Sequence, residues 1–361
     1  MKYTYLLFVP CLLCLFTACE PDFNLNAPYK DVTVVYGILN HQDSIHYIKI
    51  YKGFQSHGQN SVYLDAKNPD SIYYNPDHIN VVLQEYRDGK RTPRPNIKLD
   101  TTSYFPRDPG IFYYGDERII YHTTEPIYKD MIYKIVIINL RTGKVTEGQT
   151  SIVEDFKIET NTIDMLRSSA AVAFTKAEYA FDYEIHVSFL YFEVDKKTHE
   201  VVKTGRVVKN ITPTVGVGFQ SDNVGNLRKV FPMTFYDDIA AQLKPNPDVM
   251  RFTGIPDRDN PTQARLVFEV EGWAAGESMI KFMLSNQPSS SFTQVNILYT
   301  NMKASGDGLA FGFLSSKVRS PIKHFDITGG SEKELVEGTK TGHLGFRPWI
   351  EWRDINLNPN F

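Results

Sequence analysis

The chain has 361 residues, 42% of them hydrophobic and 13% aromatic, with 39 Lys and Arg against 42 Asp and Glu for a formal net charge of −3. That length is ample for a buried core, and near-balanced charge without a basic block leaves no electrostatic footprint for nucleic acid. Cys11, Cys14 and Cys19 are the only cysteines, so beyond residue 19 the chain has no disulfide, no thiol nucleophile and no Cys-based zinc site.

Residues 1–18 read as a leader. Lys2 is its one charge, Tyr5 to Phe16 is apolar around Pro10, and Thr17-Ala18 precede Cys19. A bilayer core takes about 20 apolar residues, so the stretch is a signal segment rather than a membrane span. The layout resembles a bacterial lipoprotein signal, which implies cleavage between Ala18 and Cys19 and acylation of the Cys19 thiol. Several acyl chains hold a protein firmly on a bilayer, which makes membrane lipid the first expected partner. Residues 19–30, with Glu20, Pro21, Asp22 and Pro28, read as an extended tether. Roughly 10 such residues at about 3.3 Å each reach some 30 Å. Acids directly after the cysteine resemble the surface-export signal of Bacteroidetes lipoproteins, so the expected location is the outer membrane, facing outward.

Residues 31–153 predict an immunoglobulin-like β-sandwich, because short strands recur between turn clusters. Val32 to Leu39 is a β-branched run, Asn40 to Ser44 a turn, and Ile45 to Tyr51 the returning strand. A polar connection covers 55–76. Ile79 to Tyr86, Ile111 to Tyr114, Ile119 to Tyr121 and Ile132 to Asn139 are further strands, and the turn Arg141 to Lys144 leads into a polar strand ending at Val153.

Residues 154–320 predict a second, larger β domain with short helical insertions, so the chain as a whole reads as mainly β. Tyr183 to Val194 is its longest strand, returning through Asp195 to His199 into Val201 to Val208. Ala264 to Val270, Gln294 to Tyr299 and Leu309 to Leu314 are also strands. Phe235 to Leu243 predicts a helix with Thr234 as N-cap. Glu277 to Ser285 predicts another, with Met279, Ile280, Met283 and Leu284 on one face. The tail, 321–361, carries Trp349 and Trp352 and is expected to pack on the body.

Chemistry-bearing patterns are sparse. The histidines are scattered, His41 and His46 have no third ligand at a fixed spacing, and no His-Glu-x-x-His occurs. Neighbouring acids (Glu154-Asp155, Asp237-Asp238) point apart in a strand. Asp257 and Asp259 sit between prolines in a loop reading, and Asp257-Arg258-Asp259 lacks the glycine of a calcium loop. There is no Gly-x-Ser-x-Gly elbow and no phosphate loop, and Ser315-Ser316-Lys317 reads as a strand end. No catalytic, metal or cofactor-binding residue is nominated, and no cofactor is expected.

Three places resemble the Bacteroidetes lipoprotein family known as domain of unknown function 4249. Behind the lipobox cysteine and tether comes Val34-Val35-Tyr36-Gly37-Ile38-Leu39; Tyr133 to Ile138 runs to Thr142-Gly143-Lys144; Tyr299-Thr300-Asn301 is followed by Gly308-Leu309-Ala310-Phe311-Gly312. The resemblance implies an envelope lipoprotein and supplies no activity. Its members often accompany TonB-dependent transporters, so such a transporter is the expected protein partner. The leading expectation is a non-enzymatic binding or scaffold role. The alternatives are a surface glycan-binding module using Trp349 and Trp352, and a hydrolase with an unrecognised site of converging acids in a pocket.

Overall fold

The computed structural model describes residues 30–54, 68–103, 118–161, 163–211, 220–221, 227–232, 234–256, 266–286 and 299–357. Ala18, Cys19, nearly all of the tether, most of the 55–76 connection, the expected strand Ile111 to Tyr114, Asp257 to Asp259 and all but the end of Gln294 to Tyr299 lie outside these. The protein is mainly β, with 46% strand and 17% helix.

The strands in chain order begin with Val32–Leu39 (β1), His46–Lys52 (β2), Ile79–Arg87 (β3), Ile120–Thr123 (β4), Ile132–Asn139 (β5) and Val145–Ser151 (β6). Ser169–Phe174 (β7), Ala180–Asp195 (β8), Val201–Ile211 (β9), Leu227–Pro232 (β10), Val249–Thr253 (β11) and Phe268–Gly276 (β12) follow. Met302–Ala304 (β13), Leu309–Arg319 (β14) and Lys323–Phe325 (β15) come last, with a few two- or three-residue strands in between.

Two sheets close the first core. β1 alternates buried and half-buried positions and the first part of β2 buried and exposed ones, the period-2 pattern of a strand with two unlike faces. Their inward residues Val35, Leu39, Ile48 and Ile50 meet Val81, Leu83, Tyr133, Ile135 and Ile137 from β3 and β5. The second core is more aromatic, with Phe156, Phe174, Tyr183, Phe189, Phe235, Phe268 and Phe346 around the inward face of β8 and β12. A three-stranded sheet containing β7 and β10 contributes to it.

One strand belongs to both cores. β14 pairs in parallel with β1, from Val32 opposite Leu309 to Leu39 opposite Ser316. Its last residues then pair antiparallel with β12, Trp273 opposite Arg319. A ten-stranded sheet thereby runs through both units, and β13 joins the edge of the six-stranded sheet beside β6. The sequence puts 302–319 wholly in the second domain, whereas the structure pairs Met302–Ala304 and 309–316 with the first and only the last three residues with the second, because a parallel partner lies a long crossover away in sequence.

Two residues of the closing motif make this joint. Gly312 has φ +84, and a Cβ there would lie 2.0 Å from the Val35 carbonyl oxygen, so glycine alone fits. Asn301 behaves like a strand residue. Its Oδ1 accepts from Leu314 N at 3.0 Å and its Nδ2 donates to Leu314 O at 2.7 Å.

The expected helices form as Phe235–Gln242 (α1) and Glu277–Ser285 (α2). Thr234 makes no side-chain cap bond to the backbone; its hydroxyl donates to Asp238 instead. On α2 the packing contact is Phe282, against Phe313 at 4.8 Å and Tyr36 at 5.6 Å, while Met283 is exposed. The tail adds Gly329–Glu337 (α3), capped by the Thr328 hydroxyl, and Trp349–Leu357 (α4). Among the described residues no helix is long and apolar enough to cross a membrane.

Candidate functional site

Two successive backbone irregularities mark one place. Tyr179 has φ +60, a conformation that a bulky side chain rarely adopts. Two residues on, the register between β8 and β12 slips between Ala180 and Asp182, so Phe181 is the extra residue of a bulge. Bulges re-aim side chains, and a strained non-glycine turn persists only where its surroundings hold it. Here Glu154 N donates to Glu178 O at 3.1 Å and Ala177 N donates to the buried Tyr183 hydroxyl at 2.8 Å. The outcome is two aromatic rings, each 50% exposed, two residues apart in the chain.

These rings border a cleft of about 430 Å³ between the two units, lined by Ile132, Gln149, Thr150 and Ser151 from the first and by Tyr179 to Phe181 and Gly276 to Ser278 from the second. Small-molecule sites span roughly 300–1,000 Å³ and favour such junctions. The Ser278 hydroxyl is oriented by Asn301 Nδ2 at 2.9 Å and Tyr299 OH at 3.1 Å. Glu277 is ion-paired with Lys281 at 2.6 Å.

Acids gather beside the turn. Glu154 shares a hydrogen bond with Asp130, and that bond, burial, and the charges of Asp130 and Glu178 push its carboxyl up to about 7. Glu178, Glu154 and Asp130 in turn push the Tyr179 hydroxyl upward. Asp155 goes the other way. Burial works against its charge, but His41 at 2.9 Å, Gln42 at 3.1 Å and Lys129 at 3.3 Å hold it below the usual carboxylate range. Glu154 and Asp155, in the irregular segment that follows β6, therefore serve different partners. A glycosidase places its two carboxyls roughly 5 to 10 Å apart across the scissile bond. A directly bonded Glu154–Asp130 pair leaves no such space.

Other nominated residues are structural. Trp352 is 0% exposed and packs on Phe192 and Phe252 at 4.9 and 5.7 Å. Trp349 is half-buried, edge-on to Phe192 at 6.2 Å. The pair expected to contact glycan is thus corrected to a core function for Trp352 with Trp349 packed at its side, because the tail folds back and needs these rings as its own hydrophobic anchor. Ser315 and Ser316 are 0% exposed and bond to the backbone at Met279 and Val153. His46 is 2% exposed, and neither ring nitrogen has a partner among the described residues. Among those residues no group of three or more His, Cys, Asp or Glu is placed to hold a metal ion.

Two further clefts are weaker candidates. One of about 400 Å³ is lined by Arg94, Lys98, Asp100 and His122 among others. Its Arg94 is already engaged by Glu85 and Glu125 at 3.0 Å each and by Pro126 O. The other, about 330 Å³ around Tyr191 and Gly205, is walled by the Arg206–Glu269 ion pair. Sequence reasoning missed Tyr179 and Phe181, since Tyr-Ala-Phe-Asp-Tyr alternates like any strand start and no glycine flags the turn. No protein-family model matches this chain, and no curated protein matches it.

Proposed function

We propose that the protein is a lipid-anchored lipoprotein of the bacterial outer membrane with a binding rather than a catalytic role, its binding site the cleft at Tyr179 and Phe181. The leader that ends at Cys19 supports the anchor, and one geometric observation supports the placement of the cleft. The tether joins the fold at Asp31, whose carbonyl accepts from Leu309 N, and the neighbouring Ser305 N bonds to Val145 O at the start of β6. The cleft is lined by Ser151, at the other end of the same strand. Seven residues at about 3.3 Å set the two ends roughly 20 Å apart. A chain held at Cys19 would then present its cleft away from the attachment end. An envelope protein of the TonB-dependent transporter type is the partner proposed from the family resemblance.

The test is fractionation. Cys19→Ala should move the protein from the membrane to the soluble fraction, and a variant that stays membrane-bound would refute the anchor. A hydrolase is the second reading, favoured by the Glu154 carboxyl lying near neutral, where a general acid works best. It requires that Glu154→Gln abolish turnover in a screen of ester substrates; absence of any turnover by the wild-type protein removes it.

A further inference from the structure

We infer that the junction cleft takes a neutral saccharide, with a sugar ring laid on Tyr179 or Phe181 and its hydroxyls bonded along Gln149, Thr150 and Ser151. The inference rests on the binding role proposed above and goes further by naming the ligand's chemistry.

Three features select that class. Two rings are displayed at half exposure by a left-handed turn and a bulge, although both residues are large enough to be worth burying. A flat apolar ring suits the C–H face of a pyranose. The cleft is also lined by Gln149 and Ser151, which share one face of β6, and by Thr150, whose hydroxyl donates to Ser151 O; amide and hydroxyl groups both donate and accept, as a sugar's rim requires. A purely apolar ligand would leave those groups desolvated and unpaired.

Charge then narrows the class. Glu277 at the cleft is balanced by Lys281, so the negative field comes from Glu178 and the hydrogen-bonded Glu154–Asp130 pair around Tyr179. The nearby cations Lys129 and Lys281 are committed to Asp155 and Glu277. Uronic acids, sulfated sugars and phosphates would meet a field of their own sign. Neutral sugars would not.

Affinity electrophoresis tests this with detergent-solubilised full-length protein in gels cast with dextran, mannan or xyloglucan, and with polygalacturonate as the acidic counterpart. Retardation is expected in at least one neutral gel and not in polygalacturonate. Tyr179→Ala and Phe181→Ala should each weaken it at least about tenfold, whereas Trp349→Ala should leave it unchanged. Retardation in polygalacturonate alone, unaltered retardation of both ring variants, or no retardation in any gel would overturn the inference. If no gel retards the protein but Tyr179→Ala abolishes cross-linking to an envelope protein, the saccharide is wrong and the binding role of the cleft stands. If the ring variants change neither readout, both fail.

Discussion

Replacing Gly312 by Ala tests the joint on which the placement of the cleft depends, with Gly143→Ala as its control. Both glycines have left-handed backbone, φ +84 and φ +70. An alanine in that region costs about 1–2 kcal/mol, partly offset because glycine loses more freedom on folding, roughly 0.5–1 kcal/mol. At Gly143 a Cβ meets nothing within 4 Å, so the net loss should be about 1 kcal/mol or less. At Gly312 the Cβ lies 2.0 Å from the Val35 oxygen, where real contacts stay above 3.0 Å. β1 and β14 must part by about 1 Å, adding an overpacking cost of about 1–3 kcal/mol and weakened ladder bonds of about 1 kcal/mol each. The total is about 3–5 kcal/mol, a large share of a typical 5–15 kcal/mol. Urea unfolding followed by tyrosine and tryptophan fluorescence measures both variants. If Gly312→Ala costs no more than Gly143→Ala, the close parallel approach of β1 to β14 is wrong.

Other expectations follow from the second core. Arg251 is 3% exposed; its guanidinium bonds Glu193 at 2.9 Å, Lys244 O and Leu344 O. Arg251→Ala strands the buried Glu193 and should cost about 3–5 kcal/mol, with limited proteolysis cutting the tail first. Trp352→Ala empties a fully buried site and should cost about 3–5 kcal/mol. A Trp352→Ala variant as stable as the wild type by urea midpoint would refute the tail packing. The buried His46 has its pKa lowered by desolvation, partly opposed by the Asp43 charge. The unfolded ring therefore binds more protons. Stability from this group is whole above about pH 6.5 and is lost as pH falls through the lower folded value. Glu154, pushed up to about 7, has the opposite sign: its contribution is whole below its ordinary value of 4.5 and is lost as pH rises through about 7. Urea midpoints of Glu154→Gln between about pH 7.5 and about pH 5.5 should fall with acidity, and the fall should shrink when His46→Leu is added. An unchanged slope would contradict the buried neutral histidine.

Local patterns were legible and distant partners were not. The β1–β2 and β5–β6 hairpins were readable because runs such as Val32 to Leu39 and Ile132 to Asn139 alternate or cluster apolar residues between Asn- and Gly-bearing turns. Helix α2 was readable from its 3.6-residue spacing, though Phe282 rather than Met283 makes the packing contact. The parallel meeting of Val35 with Gly312 had no local sign. The tail helices were hidden too: Gly329-Gly330 opens α3 against propensity, and α4 is stabilised by the burial of Trp352 rather than by its own sequence. At the cleft, tryptophan was the obvious aromatic to nominate, and packing claimed it. The exposed rings came from ordinary-looking residues, because their exposure depends on a turn held by Glu154 and Tyr183, both distant from any motif.

Mass spectrometry of the N-terminal peptide from membrane-extracted protein addresses the anchored binding role most directly. The account predicts a chain that starts at Cys19 and carries the added mass of a diacylglyceryl group or its triacyl form. A peptide that begins at Met1, or a Cys19 without lipid, would contradict it.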